Sequence, residues 1–186
     1  QNDASRIAGV RVPELPEVEV TRRALAPHAE GRAIEAVVIR DRRLRWPVPA
    51  DLARHLVGQR VERIDRRGKY LLWRLPAGVL ISHLGMSGVW RVLPRSRGVP
   101  SPGLHDHADL LFAEDCIRLT DPRRFGALLW HSLDDGPVDS HPLLAGCGAW
   151  ALLLIALSTG PGYLTGWRRL WFGWYGFNAG SQLKVD

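Results

Sequence analysis

The sequence predicts a mainly β fold with flanking helices, an antiparallel sandwich or barrel, on three observations. Eight short runs of strand character follow one another closely. Gly, Pro and Asp turns separate them, and few helical stretches intervene, which argues against a parallel sheet wound with helices. Residues 1–11 are polar and lack apolar periodicity, as in a disordered leader or sequence upstream of the true start. From Glu17 to about Ala29 the pattern suits a helix, with Pro16 tolerated in the first turn, acids early, Arg22 and Arg23 later, and Pro27 and Gly31 helping to stop it. The strand runs are Ala33–Arg40, Arg60–Arg66, Tyr70–Leu75, Val79–Leu84, Val89–Leu93, Ala108–Phe112, Ile117–Thr120 and Ala127–His131. A short helix is expected over Ala50–Leu56. The stretch Pro94–His107, rich in Pro and Gly, is expected to be a long, mobile loop.

The 186 residues, 46% hydrophobic and 24% charged, suffice for one domain with a sizeable core but not for two full enzymatic domains. A net charge of +6 points to a polyanionic partner, nucleic acid or an anionic membrane surface. Arg supplies nearly all the positive charge, with Lys69 and Lys184 the only lysines. Cys116 and Cys147 form no C-x-x-C pair and cannot build a four-ligand zinc site, so a reduced cytoplasmic protein is expected. No basic-then-apolar signal pattern opens the chain. Beyond Gly148 the composition changes: four of the eight Trp fall there, none of the seven His, and Asp186 is the last acid left. The apolar run Trp150–Ser158 is far shorter than the roughly 20 residues a membrane helix needs.

Several residues stand out chemically. An Arg-dominated chain that places Lys at position 69 leans towards proton transfer or a close phosphate contact, because only Lys readily loses and regains a proton; the plain alternative is a solvated cation beside Arg66 and Arg67. Met86, flanked by Gly85 and Gly88, is an unbranched apolar side chain on a tight loop. It suits a wedge between bases, or simply a core filler. His105 and His107 alternate as a metal pair on a strand would, but spacing places no third ligand. Arg42, Arg43, Arg45, Arg91, Arg95 and Arg97 interleave with Trp46 and Trp90, a pattern suited to phosphate binding with aromatic support or to a solvated basic face. His83 reads as a core or loop residue.

Four motifs in order, Val12-Pro13-Glu14-Leu15-Pro16-Glu17 with the residues to Arg23, Arg66-Arg67-Gly68-Lys69-Tyr70, His83-Leu84-Gly85-Met86-Ser87-Gly88 and Asp121-Pro122-Arg123-Arg124-Phe125-Gly126, resemble the N-terminal domain of the formamidopyrimidine-DNA glycosylases. The resemblance covers residues 12–148 and implies an antiparallel β-sandwich. It implies a base-excision-repair activity that removes oxidised purines (8-oxoguanine, formamidopyrimidines) from damaged double-stranded DNA and then cleaves the abasic strand. Pro13 would be the nucleophile through a free secondary amine, Glu14 a proton shuttle, and Lys69 the proton donor in elimination. Met86 would fill the gap left by an extruded nucleotide, Arg123 would pair with the orphaned base, Phe125 would wedge the stack, and His105 would contact the DNA backbone. The alternative to the Pro13 role is a proline that sets up the following helix, since inside the chain its nitrogen is an amide. Initiation at Val12 followed by Met removal would expose it.

The helix-two-turn-helix and four-cysteine zinc finger that complete the family's enzymes have no counterpart in this sequence, so no cofactor is expected and activity as given is expected to be weak or absent. A non-catalytic DNA-binding remnant is the alternative. The resemblance further implies a monomer in the bacterial cytoplasm at the nucleoid, without a membrane partner. Residues 149–186 read as a foreign apolar tail. Within it, Leu170–Ser181, preceded by Ala151–Gly162, resembles a piece of an ammonium transporter.

Overall fold

The computed structural model describes residues 15–144. The chain divides into two units, Gln1–His141 and Pro142–Asp186, and every element below lies in the first. Helix α1 (Leu15–Ala29) begins slightly earlier than the sequence suggests and buries Val18, Leu25 and Ala29 on one face. Glu19 on this helix accepts hydrogen bonds from Arg22, Arg23 and Arg66, which hold its carboxyl at about 2 and tie the helix to a strand of the sheet below. An acid that reads as helix-end decoration is therefore a tertiary anchor.

The eight strands expected from the sequence form two four-stranded antiparallel sheets. One has the order β1 (Ala36–Ile39), β6 (Asp106–Leu111), β7 (Asp115–Thr120), β5 (Val89–Pro94); the other has β2 (Arg63–Arg67), β3 (Tyr70–Leu75), β4 (Gly78–His83), β8 (Ala127–Ser132). The run from Ala33 supports a shorter strand than expected, because Ala33 leaves the sheet to make an isolated bridge with Arg60. Helix α2 (Leu52–Leu56) supplies two buried leucines. Period-two alternation delivers Leu71, Trp73, Leu80 and Leu128 from one sheet and Trp90, Leu110, Ile117 and Leu119 from the other into a common core. The Trp73 and Trp90 rings meet edge to face at 5.5 Å. Trp73 donates its indole N–H to Ser82 Oγ at 3.2 Å, which lets so large a polar-tipped ring be fully buried. Trp90 is thus a core residue, not the aromatic support for phosphate that its neighbouring arginines suggest.

The outer face of the first sheet carries a buried ion network. Arg118 and Asp109, 3% and 4% exposed, form a two-pronged pair at 2.9 Å, and Arg40 reaches the same carboxylate at 2.6 Å. Burial pushes the Asp109 carboxyl up, but hydrogen bonds from Arg40 and Arg118 more than offset it and hold the group at about 2. Arg118 also donates to the Pro100 carbonyl at 2.9 Å, and Gly103 N–H donates to Asp106 Oδ2 at 2.8 Å. These bonds correct the expectation of a long mobile loop over Pro94–His107: strands claim both ends, residues 95–97 form a 3-10 turn, and the remainder is pinned to the sheet.

Candidate nucleic-acid interface

Topology gathers the candidate residues at one end of the sandwich. In the second sheet Tyr70 pairs with His83 and His83 with Ala127, so the β2–β3 turn, the end of β4 and the start of β8 share one rim. In the first sheet Val89 and Asp106 both pair with Thr120, placing the start of β5, the start of β6 and the end of β7 at a common end. The segments 84–88 and 121–126 cross between the sheets there. The β2–β3 turn carries Lys69, 84–88 carries Met86, 98–105 carries His105, and 121–126 carries Arg123 and Phe125. Pro13 and Glu14 lie outside the described residues, as do the leader, Cys147 and the transporter-like run.

Lys69 occupies the second position of a two-residue hairpin whose first position, Gly68, has φ +58°, the pattern of a II′ turn that only glycine enters freely. The flanking arginines are committed elsewhere: Arg66 to Glu19 and the Gly68 carbonyl, Arg67 to Asp139. Lys69 is half-buried, and its charge acts on His83. Burial first, then the Lys69 and Arg45 charges, push the His83 imidazole down to about 4. The backbone N–H of Gly85 donates to His83 Nδ1 at 2.9 Å, which leaves the proton of this neutral ring on Nε2. His83 is therefore a neutral donor beside the lysine and belongs to the rim. Its place at the head of the His83-Leu84-Gly85-Met86 motif was the only signal of that in the sequence.

Phe125 is 43% exposed, and the Arg123 guanidinium lies over its ring at 5.1 Å. Between them Arg124 has φ +60°, the one left-handed non-glycine among the described residues, and pairs with Asp41 at 3.1 Å. Arg124 is thus a salt-bridge residue that turns the chain between two exposed side chains. Met86 is half-buried and His105 is exposed. His107, in contrast, is buried and donates Nε2–H to the Asp121 carbonyl at 2.8 Å, while a bulge between Asp106 and Ala108 breaks the alternation. The two histidines do not converge as a metal pair.

Of the interleaved arginines, Arg91 pairs with Asp106, Arg95 with Glu35 and Arg43 with Asp41, and Arg42 donates to the Ala50 carbonyl. Arg45 stacks on Trp46 at 4.7 Å, as the basic-aromatic pattern suggests. Among the described residues no three His, Cys, Asp or Glu gather as a metal site, and Cys116 is buried with its thiol pushed up to about 11 by burial. No helix among the described residues is long and apolar enough to cross a membrane.

Two antiparallel sheets joined by motif-bearing crossings at one rim match the β-sandwich that the motif resemblance implies. A family model of the formamidopyrimidine-DNA glycosylase N-terminal domain matches residues 12–128, and the chain belongs to that family. The formamidopyrimidine-DNA glycosylase of Burkholderia thailandensis is 55% identical over 137 residues, 74% of this chain and 50% of the relative. That of Burkholderia multivorans is 56% identical over the same length. Among solved structures, the Lactococcus lactis enzyme bound non-covalently to DNA containing an abasic site matches with a TM-score of 0.62 at 32% identity, over 72% of this chain and 49% of that one. The wild-type Lactococcus lactis enzyme in complex with DNA containing N7-benzyl-Fapy-dG also matches at 0.62. The chain spans about half the length of the curated relatives it matches.

Proposed function

We propose that this domain binds damaged double-stranded DNA across the rim and, when Pro13 is the N-terminal residue, excises oxidised purines and cleaves the abasic strand. The observation that carries the reading is the convergence of Lys69, Met86, His105, Arg123 and Phe125 on one end of the sandwich from four separate segments. A free Pro13 nitrogen would attack the sugar anomeric carbon as the bond to the base breaks, and the base would leave with the proton lost from that nitrogen; the bond from the anomeric carbon to the ring oxygen would then open, giving an iminium. Glu14 would carry a proton to the opened sugar oxygen or the leaving base. Lys69, half-buried at its turn, would supply the proton for the elimination that follows. His105 would hold a backbone phosphate, Met86 would occupy the vacated space, Arg123 would face the orphaned base, and Phe125 would wedge beside it. No metal or small-molecule cofactor takes part in these steps.

One observation favours a second reading, a DNA-binding domain without catalysis: with residues 1–12 attached, the Pro13 nitrogen is a peptide amide and has no usable lone pair. Borohydride trapping on a duplex containing an abasic site separates the two. A protein beginning at Pro13 and joined to the remaining half of the Burkholderia thailandensis relative should give a covalent adduct, and the 186-residue chain should give none. No adduct from the first refutes the catalytic reading, whereas an adduct from the second refutes the argument from the blocked amine.

A further inference from the structure

We propose that Asp121 is a positioning residue that locks the Met86 loop, the His105 loop and the Arg123–Phe125 turn into one preset reader of a gap in a duplex, an inference that rests on the DNA-binding reading above. Asp121 is fully buried. Its Oδ1 accepts from Ser87 Oγ at 2.6 Å and from Arg123 N–H at 3.3 Å, and its Oδ2 accepts from Gly126 N–H at 2.8 Å. Its own N–H donates to the His105 carbonyl at 2.9 Å, and its carbonyl accepts from Arg124 N–H and His107 Nε2. One residue therefore bonds to all three segments that carry the proposed DNA contacts.

The bonds to Gly126 and Arg123 are those of a local turn and would suffice to shape it. The Ser87 contact is different in kind. It spans 34 residues and joins the two sheet crossings, and the same hydroxyl accepts from Arg123 N–H at 3.2 Å. A second lock lies beside it: a Cβ placed on Gly85 would sit 2.4 Å from the Phe125 carbonyl carbon, so the two crossings touch backbone to backbone. Inserting side chains into a base stack requires fixed spacing between them, and segments ordered in advance avoid paying for that order on binding. A buried carboxylate with donors on both crossings provides the spacing.

The test uses the full 186-residue chain with Ser87→Ala, Ser87→Thr and Asp121→Ala. Without DNA, Ser87→Ala should speed amide exchange at Arg123 by about tenfold while strand amides keep their protection, and Ser87→Thr should restore it. Asp121→Ala should release Gly126 as well, and should Asp121→Ala not fold, the serine pair carries the test alone. With DNA, the affinity for a duplex bearing a tetrahydrofuran abasic analogue relative to an intact duplex should fall about fivefold in Ser87→Ala, the worth of about one hydrogen bond. Binding to intact duplex should stay within about twofold, because phosphate contacts dominate it. Wild-type exchange at Arg123 in Ser87→Ala, or faster exchange with the abasic preference intact, overturns the role of Asp121 alone. A wild-type chain with no preference for the abasic duplex overturns the DNA-binding reading and this role with it.

Discussion

Replacing Gly85 by alanine tests how tightly the two crossings are joined. Gly85 has φ +62°, where an L side chain costs about 1–2 kcal/mol. The new methyl would also lie 2.4 Å from the Phe125 carbonyl carbon, 2.6 Å from its oxygen and 2.7 Å from Gly126 N, all backbone atoms that no rotamer change can move aside. Forcing them apart is an overpacking cost of about 1–3 kcal/mol, and the lower entropy of unfolded alanine returns about 0.4–1 kcal/mol. The expected net loss is about 3 kcal/mol. Gly58 supplies the control, since its φ is +82° but nothing lies within 4 Å of its Cβ position. Gly58→Ala should therefore cost only the backbone strain, about 1 kcal/mol. Urea unfolding of both variants at unchanged m-value is the assay, read as the difference between their midpoints. If Gly85→Ala loses no more than Gly58→Ala, the backbone contact between the crossings is not tight and the reasoning built on it fails.

Removing Arg118 as Arg118→Met should cost about 3–5 kcal/mol, because Asp109 is left buried with Arg40 alone; loss of the Pro100 contact should also open residues 98–105 to limited proteolysis. Asp109, held at about 2 against its ordinary 3.8, contributes about 2 kcal/mol that is fully present above pH 4 and lost as pH falls through about 2. An acid unfolding series in which Asp109→Asn flattens the dependence over that window checks this. His83 stays neutral in the fold and protonates in the unfolded chain near 6.5, so its contribution is present above that pH and lost as pH falls towards about 4. Its ring resonances, followed by NMR, should show no titration above about pH 5.

The strands were legible because hydrophobic alternation and turn residues act locally, and all eight appeared within a few residues of their expected places. The motif residues were legible too, and the structure brings Lys69, Met86, His105, Arg123 and Phe125 to one rim. What stayed hidden depends on partners distant in sequence. Arg118 and Asp109 read as ordinary charges on a strand, and only the register pairing them across β6 and β7 shows a buried pair. The loop after β5 looked mobile because its pins are side chains of β6 and β7, Asp106 and Arg118, bonded to loop backbone groups, a contact that composition does not reveal. Trp90 sat among arginines in the sequence, yet strand alternation turns it inward while Arg91 faces the other way. Asp121 enters the sequence reading only as the first residue of its motif, and its bond to Ser87 leaves no trace in spacing.

The two sheet crossings at the rim also bear on the order of folding. Residues 84–88 and 121–126 meet only after β4 has paired with β8, more than 40 residues away in sequence, and after β5 has paired with β7. Hairpins such as β2–β3 close early and locally, whereas the rim must wait for these distant pairings, so its assembly belongs to the slowest part of the reaction. In a refolding experiment, recovery of the Arg123–Phe125 environment should therefore follow the global phase that buries Trp73 against Trp90, not the earlier appearance of β structure.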